Sequence, residues 1–225
     1  MLKKHKRLTK KELKKDPLLI FTAQVIDFLR DEWIKIVSII LSVVFFVAIS
    51  LYLVKSKSTS EMNSFDIATN AYNTNQPEAI DLLVTFAEKY RGSKYTEAVL
   101  MKLGNHYFSE KDYEPAEKYY MEYINKFSDN PIYGYNAYCG LGGIYEEQGD
   151  FLKAGEIYEE FTRKYKDSTF ISLMYLNAGK AYFTAGDNDA AMNNFNNIIN
   201  KYGDSFEKQE AVFYLEMIIN ESSGA

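Results

Sequence analysis

The sequence predicts an all-α protein, a helical solenoid of about four helix-turn-helix repeats plus a capping helix, carried on a single N-terminal transmembrane helix. Three observations predict it. An uncharged apolar run stands near the N-terminus, a basic–aromatic–turn unit recurs four times behind it, and the charge is split between the two parts. Residues 1–35 carry ten Lys/Arg against five acids, whereas residues 55–225 carry sixteen against twenty-six. A basic head on an acidic body suits a membrane-proximal N-terminus and does not suit a phosphate backbone, so nucleic-acid binding is not expected.

The run at 36–54, IVSIILSVVFFVAISLYLV, spans about 28 Å as a helix, close to the hydrocarbon thickness of a bilayer. Lys35 and Lys55 bracket it, with Trp33 and Tyr52 near its two ends. The 35 residues before it, and the absence of a small-residue cleavage site after it, favour an anchor over a cleaved signal. The Lys/Arg excess on the N-terminal side places that side in the cytoplasm and the repeats beyond the membrane. Between head and run, Asp16 and Pro17 open a helix on which Leu18, Phe21, Val25, Leu29 and Trp33 recur at helical spacing. That segment reads either as a surface-lying amphipathic helix or as a plain stem.

The repeat rests on several position types that keep one register. Tyr90, Phe127, Tyr165 and Tyr202, each preceded by Lys, are spaced by 37, 38 and 37 residues, and so are Ala79, Ala116, Ala154 and Ala191. Leu83, Tyr120, Tyr158 and Phe195 follow those alanines by four residues. Gly104–Tyr107, Gly142–Tyr145 and Gly179–Tyr182 repeat a Gly-x-x-Tyr. Glycine inside a helix costs about 1 kcal/mol relative to alanine, so its recurrence implies close helix packing. The chain thus divides into a basic N-terminus (1–17), an amphipathic helix (18–35), the span (36–54), a linker (55–60), a degenerate repeat (61–90), three full repeats (94–128, 132–166, 169–203) and a capping helix (205–220).

These residues resemble the tetratricopeptide repeat, with Leu103-Gly104, Leu141-Gly142 and Ala178-Gly179 ahead of their tyrosines and turns at Lys111-Asp112, Gly149-Asp150 and Gly186-Asp187. The period is slightly longer than usual, and Tyr123, Phe161 and Ile198 replace a small residue late in the second helix. The layout of Lys-rich start, one span and exported repeats is similar to the ancillary SecYEG translocon subunit family. That resemblance implies a single-pass protein of the bacterial inner membrane with its repeats in the periplasm. Implied partners are other proteins: the translocon, periplasmic chaperones or client segments. A scaffold for division or wall-remodelling machinery, and a cytosol-facing adaptor, are the competing readings.

No catalytic constellation is present: the sequence lacks His-Glu-x-x-His, Gly-x-Ser-x-Gly, a Walker loop and Cys-x-x-Cys, so neither an enzyme, a cofactor, a metal nor a small-molecule substrate is expected. Cys139 is the single cysteine. Cys139 and His106 read as packing residues, and the acidic pairs Glu146-Glu147 and Glu159-Glu160 as solvated faces. The tetratricopeptide resemblance implies a concave groove lined by the first helices, here at Met101, Asn105 and Phe108, at Asn136, Cys139 and Gly143, and at Leu176, Lys180 and Phe183. Met101 stands where the family's carboxylate clamp has Lys, which disfavours chaperone tails and leaves an amphipathic or unfolded segment as ligand. Gly140 and Gly143 exceed what the repeat needs: either Gly143 and Cys139 leave a shallow hollow between Asn105 and Lys180 for a partner segment, or a neighbouring aromatic, such as one of the Tyr133-to-Tyr138 cluster, fills the space internally.

Overall fold

The computed structural model describes residues 17–127, 129–203 and 205–223, and it divides into two compact units, Met1–Ser60 and Glu61–Ala225. Every described regular element is an α-helix. Helix α1 runs from Pro17 to Asn73, with Pro17 at its start as expected; Asp16, the expected cap, lies outside the described residues. In the first unit α1 is long and apolar enough to cross a membrane, and none of its most apolar window is buried. Its hydroxyls are satisfied along the helix: Ser38 donates to Lys35 O at 2.8 Å and Ser42 to Ser38 O at 2.8 Å.

Residues 18–35, read either as an amphipathic helix or as a plain stem, and residues 55–60, read as a linker, all belong to the continuous α1. No Gly or Pro interrupts the chain between Pro17 and Asn73, and the Ser/Thr-rich stretch bonds its own backbone, with Thr59 donating to Lys55 O at 3.0 Å.

The second unit is a stack of helix pairs. The end of α1, from Glu61 on, pairs with α2 (Ala79–Lys89), α3 (Thr96–Ser109) with α4 (Tyr113–Lys126), α5 (Pro131–Glu147) with α6 (Phe151–Lys164), and α7 (Ile171–Ala185) with α8 (Asn188–Lys201). Helix α9 (Phe206–Ser223) packs on α7 and α8. The alanines at 79, 116, 154 and 191 are all buried, as are Leu83, Tyr120, Tyr158 and Phe195 one turn later.

Each pair turns through one left-handed residue: Asn75 at φ 53°, Lys111 at 60°, Gly149 at 80° and Gly186 at 80°. The next amide then reaches back five residues, Gln76 N to Ala71 O at 2.9 Å, Asp112 N to Tyr107 O at 2.9 Å, Asp150 N to Tyr145 O at 2.8 Å and Asp187 N to Tyr182 O at 2.9 Å. This bonding satisfies carbonyls that the helix end would leave open. Asp150 and Asp187 then cap the following helices through Lys153 N at 3.1 Å and Ala190 N at 3.0 Å.

The turns align the leading repeat. Ala71 stands where Tyr107 stands, and the buried Ala68 where Gly104 stands. Ala68 precedes Ala79 by eleven residues, but Gly104, Gly142 and Gly179 precede their alanines by twelve. The spacing between the two helices' packing positions is thus one residue shorter in the leading repeat, although the segment outside its helices, 74–78, is the longest of the four turns.

Candidate functional site

The repeat glycines set the register of the first helices. A Cβ on Gly104 would lie 2.5 Å from Tyr120 Cε1, and one on Gly179 would lie 2.5 Å from Phe195 Cε1; at Gly142 it would overlap the Tyr158 ring. Each glycine therefore seats the aromatic ring of the second helix sixteen residues on. The positions after it, namely Asn105, Gly143 and Lys180, form one row of equivalent sites; those four after it, Phe108, Glu146 and Phe183, form a second.

The expected groove residues divide into two groups. Met101 and Leu176 are core, at 3% and 2% exposure, because their row points between the paired helices. They offer no surface to a partner. Cys139, in the same row, is half-buried, with Sγ 3.5 Å from Met174 Sδ, and burial pushes its thiol up to about 11. Asn136 is half-buried but lies one row outside the set; by spacing, Glu146 is the equivalent of Phe108 and Phe183. Sequence reasoning missed Glu146, although it lies 38 residues after Phe108 and 37 before Phe183.

The space at Gly140 and Gly143 is filled. The Tyr120 ring lies against Gly140 as well as Gly104, and the Phe108 ring lies 3.4 Å from where a Gly143 Cβ would stand. Both glycines accept aromatic rings from the preceding repeat. Their explanation is internal packing.

What remains accessible is a short polar centre between aromatic groups. Asn105 is exposed, its Oδ1 accepting from the Tyr120 hydroxyl at 2.7 Å. Lys180 pairs with Glu210 of α9 at 3.3 Å and sits 5.7 Å over the Tyr214 ring. Phe183 meets the same ring edge-on at 5.5 Å. Burial raises the Glu146 carboxyl above its ordinary value, with Glu147 adding to the rise; the Tyr158 hydroxyl and the Lys180 charge pull against it.

Of the other acids read as solvated faces, Glu147 and Glu160 are exposed and Glu159 is half-buried, and each accepts a hydrogen bond. Glu159 accepts from Asn194 at 2.7 Å and from Arg163 at 3.2 Å, Glu160 accepts from Tyr138 at 2.9 Å, and Glu147 accepts from Tyr113 at 3.2 Å. His106 packs edge-on against Tyr107 and Tyr72, at 5.3 and 6.5 Å. Among the described residues no group of three or more His, Cys, Asp and Glu is placed to hold a metal ion.

The fold and this register define a tetratricopeptide-type helical solenoid, preceded by one helix that is a candidate membrane span. Tetratricopeptide repeat profiles match residues 98–125 and 135–163, and a further one matches 174–205, which supports the tetratricopeptide repeat family for this part of the chain. Such repeats indicate a protein–protein interaction module, typically a non-catalytic scaffold. No curated protein matches the chain.

Proposed function

We propose that this chain is a membrane-anchored interaction module of the bacterial inner membrane, serving protein translocation or the handling of periplasmic clients. In this reading residues 36–54 span the bilayer, the N-terminus is cytoplasmic and the repeats are periplasmic. The ten bases before the span, against only Lys55 and Lys57 between it and Lys89, support the orientation. The bound ligand is a protein segment lying along the row Phe108, Glu146 and Phe183, with apolar side chains on the two rings and a donor or cation at the carboxylate. The observation that carries this is Glu146, half-buried in the same row as the aromatic rings of Phe108 and Phe183. SecYEG, periplasmic chaperones and client segments are the partners this reading favours.

Two measurements test it. A C-terminal alkaline phosphatase fusion should be active and a fluorescent cytosolic reporter at the same site dark; the reverse pattern refutes the orientation. A photoreactive side chain at Phe108 or Phe183 should crosslink a partner in intact membranes, and Glu146→Ala should abolish the crosslink. Capture unchanged by Glu146→Ala would remove the proposed site.

A further inference from the structure

The part of α1 ahead of the apolar run is two-faced, and its apolar face is uncovered. At about 100° per residue, Leu18, Phe21, Val25, Phe28, Leu29 and Trp33 fall within one half of the helix circumference. All six are exposed, Leu18 at 71% and Phe21 at 65%. The other half carries Gln24, Asp27, Arg30, Asp31 and Lys35, with Ala23 among them and Ile20 and Ile34 near the two ends of the segment. Two polar residues stand on the apolar side, and both are answered within the helix. Thr22 donates to Leu19 O at 3.0 Å, and Glu32 accepts from Lys35 at 2.7 Å. Neither needs water for a partner.

We propose that this face lies in the headgroup layer of the cytoplasmic leaflet, so that the chain holds the bilayer by a surface helix as well as by a span. The proposal rests on the reading that residues 36–54 cross the membrane. Continuity names the occupant: the helix runs without a break into the span, so the nearest apolar phase is the same bilayer. Standing upright instead, Phe21 would be held in water about 22 Å from Ile36, fifteen residues of helix away. Charge points the same way. Residues 1–16 carry eight Lys/Arg against two acids directly ahead of the helix, a complement to anionic headgroups. Trp33 stands on the apolar side three residues before the span, at the depth where indole rings settle. The turn from surface to span needs no glycine or proline, because Ser38 donates to Lys35 O at 2.8 Å and Ser42 to Ser38 O at 2.8 Å, and side-chain bonding of this kind bends helices. An interfacial helix of this design buries its apolar face about 5–10 Å into the boundary of headgroups and acyl chains.

The test uses the full chain, reconstituted in vesicles of phosphatidylethanolamine and phosphatidylglycerol. In a Cys139→Ala background, nitroxide labels are placed one at a time through Phe21→Cys, Leu29→Cys, Asp27→Cys, Asp31→Cys and, within the span, Phe45→Cys. Collision with oxygen, which concentrates in lipid, is compared with collision with a water-soluble nickel complex supplied on both sides. The oxygen-to-nickel ratio at 21 and 29 should exceed that at 27 and 31 severalfold, and should be higher still at 45. Equal access of nickel to 21, 29, 27 and 31 overturns the proposal, because the segment is then a stem in water. Shielding of 21 and 29 from both reagents overturns it too, because a second copy of the chain then covers the face. Both failures leave 45 in lipid and the span intact. A label at 45 that nickel reaches instead refutes the span, and the surface helix with it.

Discussion

Replacing Gly140 and Gly143 by alanine, one at a time, should move stability in opposite directions. Both glycines lie inside α5, and each substitution gains about 1 kcal/mol of helix propensity. Their surroundings differ. At Gly143 the new Cβ meets Phe108 Cζ at 3.4 Å, an ordinary contact, so the gain of about 1 kcal/mol survives. At Gly140 the Cβ overlaps the Tyr120 ring, which cannot retreat: Gly104 closes its other side, Asn105 holds its hydroxyl at 2.7 Å, and it is fully buried. Overpacking of this kind costs about 1–3 kcal/mol, which leaves a net loss of up to about 2 kcal/mol. Urea and thermal unfolding of residues 61–225, followed by circular dichroism, resolves the difference, because 1 kcal/mol moves the midpoint by about 2–4 °C in a domain of this size. Equal shifts of the same sign in the two variants would refute the account of Tyr120 as a ring clamped between two glycines.

Two further outcomes follow from the turns and from Glu146. Lys111 occupies a left-handed turn position that the next two turns give to glycine, so Lys111→Gly should stabilise by about 1 kcal/mol, while Gly149→Ala or Gly186→Ala should cost about 1–2 kcal/mol in the same urea assay; a null result at all three would remove the strain argument. Glu146 has a folded-state pKa above its ordinary 4.5, so its contribution to stability is fully present below that value and is lost as pH rises through the folded value. Glu146→Gln should therefore match the wild type near pH 4 and gain on it toward pH 7, and a difference independent of pH would show that burial does not tune this carboxyl.

The repeats were legible because packing imposes spacing: an aromatic ring against a glycine sixteen residues earlier can recur only if every repeat keeps its length. That same reasoning failed where a length changed. The leading repeat hides behind a packing spacing one residue shorter than the others, and its Ala68 and Ala71 do the work of Gly104 and Tyr107 without looking like them. In α5 the choice of Asn136 over Glu146 was a slip of register that the spacing itself corrects. The stretch 55–60, read as a linker, continues the helix, whose backbone accepts from its hydroxyls. Helix α9 was visible as a run of apolar residues, but which of its faces the repeats cover is a tertiary fact.

The core and the accessible row are not separate layers of this molecule. Tyr120 is a packing residue by its ring, yet its hydroxyl passes between two first helices and holds Asn105 on the accessible side. Tyr158 repeats the arrangement one repeat later, with its hydroxyl drawing down the Glu146 carboxyl. In the third repeat the equivalent residue is Phe195, which has no hydroxyl to offer. Helix α9 supplies the substitute: Tyr214 stacks on Phe195 at 5.4 Å, and its ring lies 5.7 Å beneath the Lys180 ammonium, which Glu210 also holds. Every polar group of the row is thus held by a residue whose other duty is packing, so the proposed ligand would meet side chains already ordered and lose less entropy in binding them. In that reading the repeat period that folds the domain is also the spacing of its contacts.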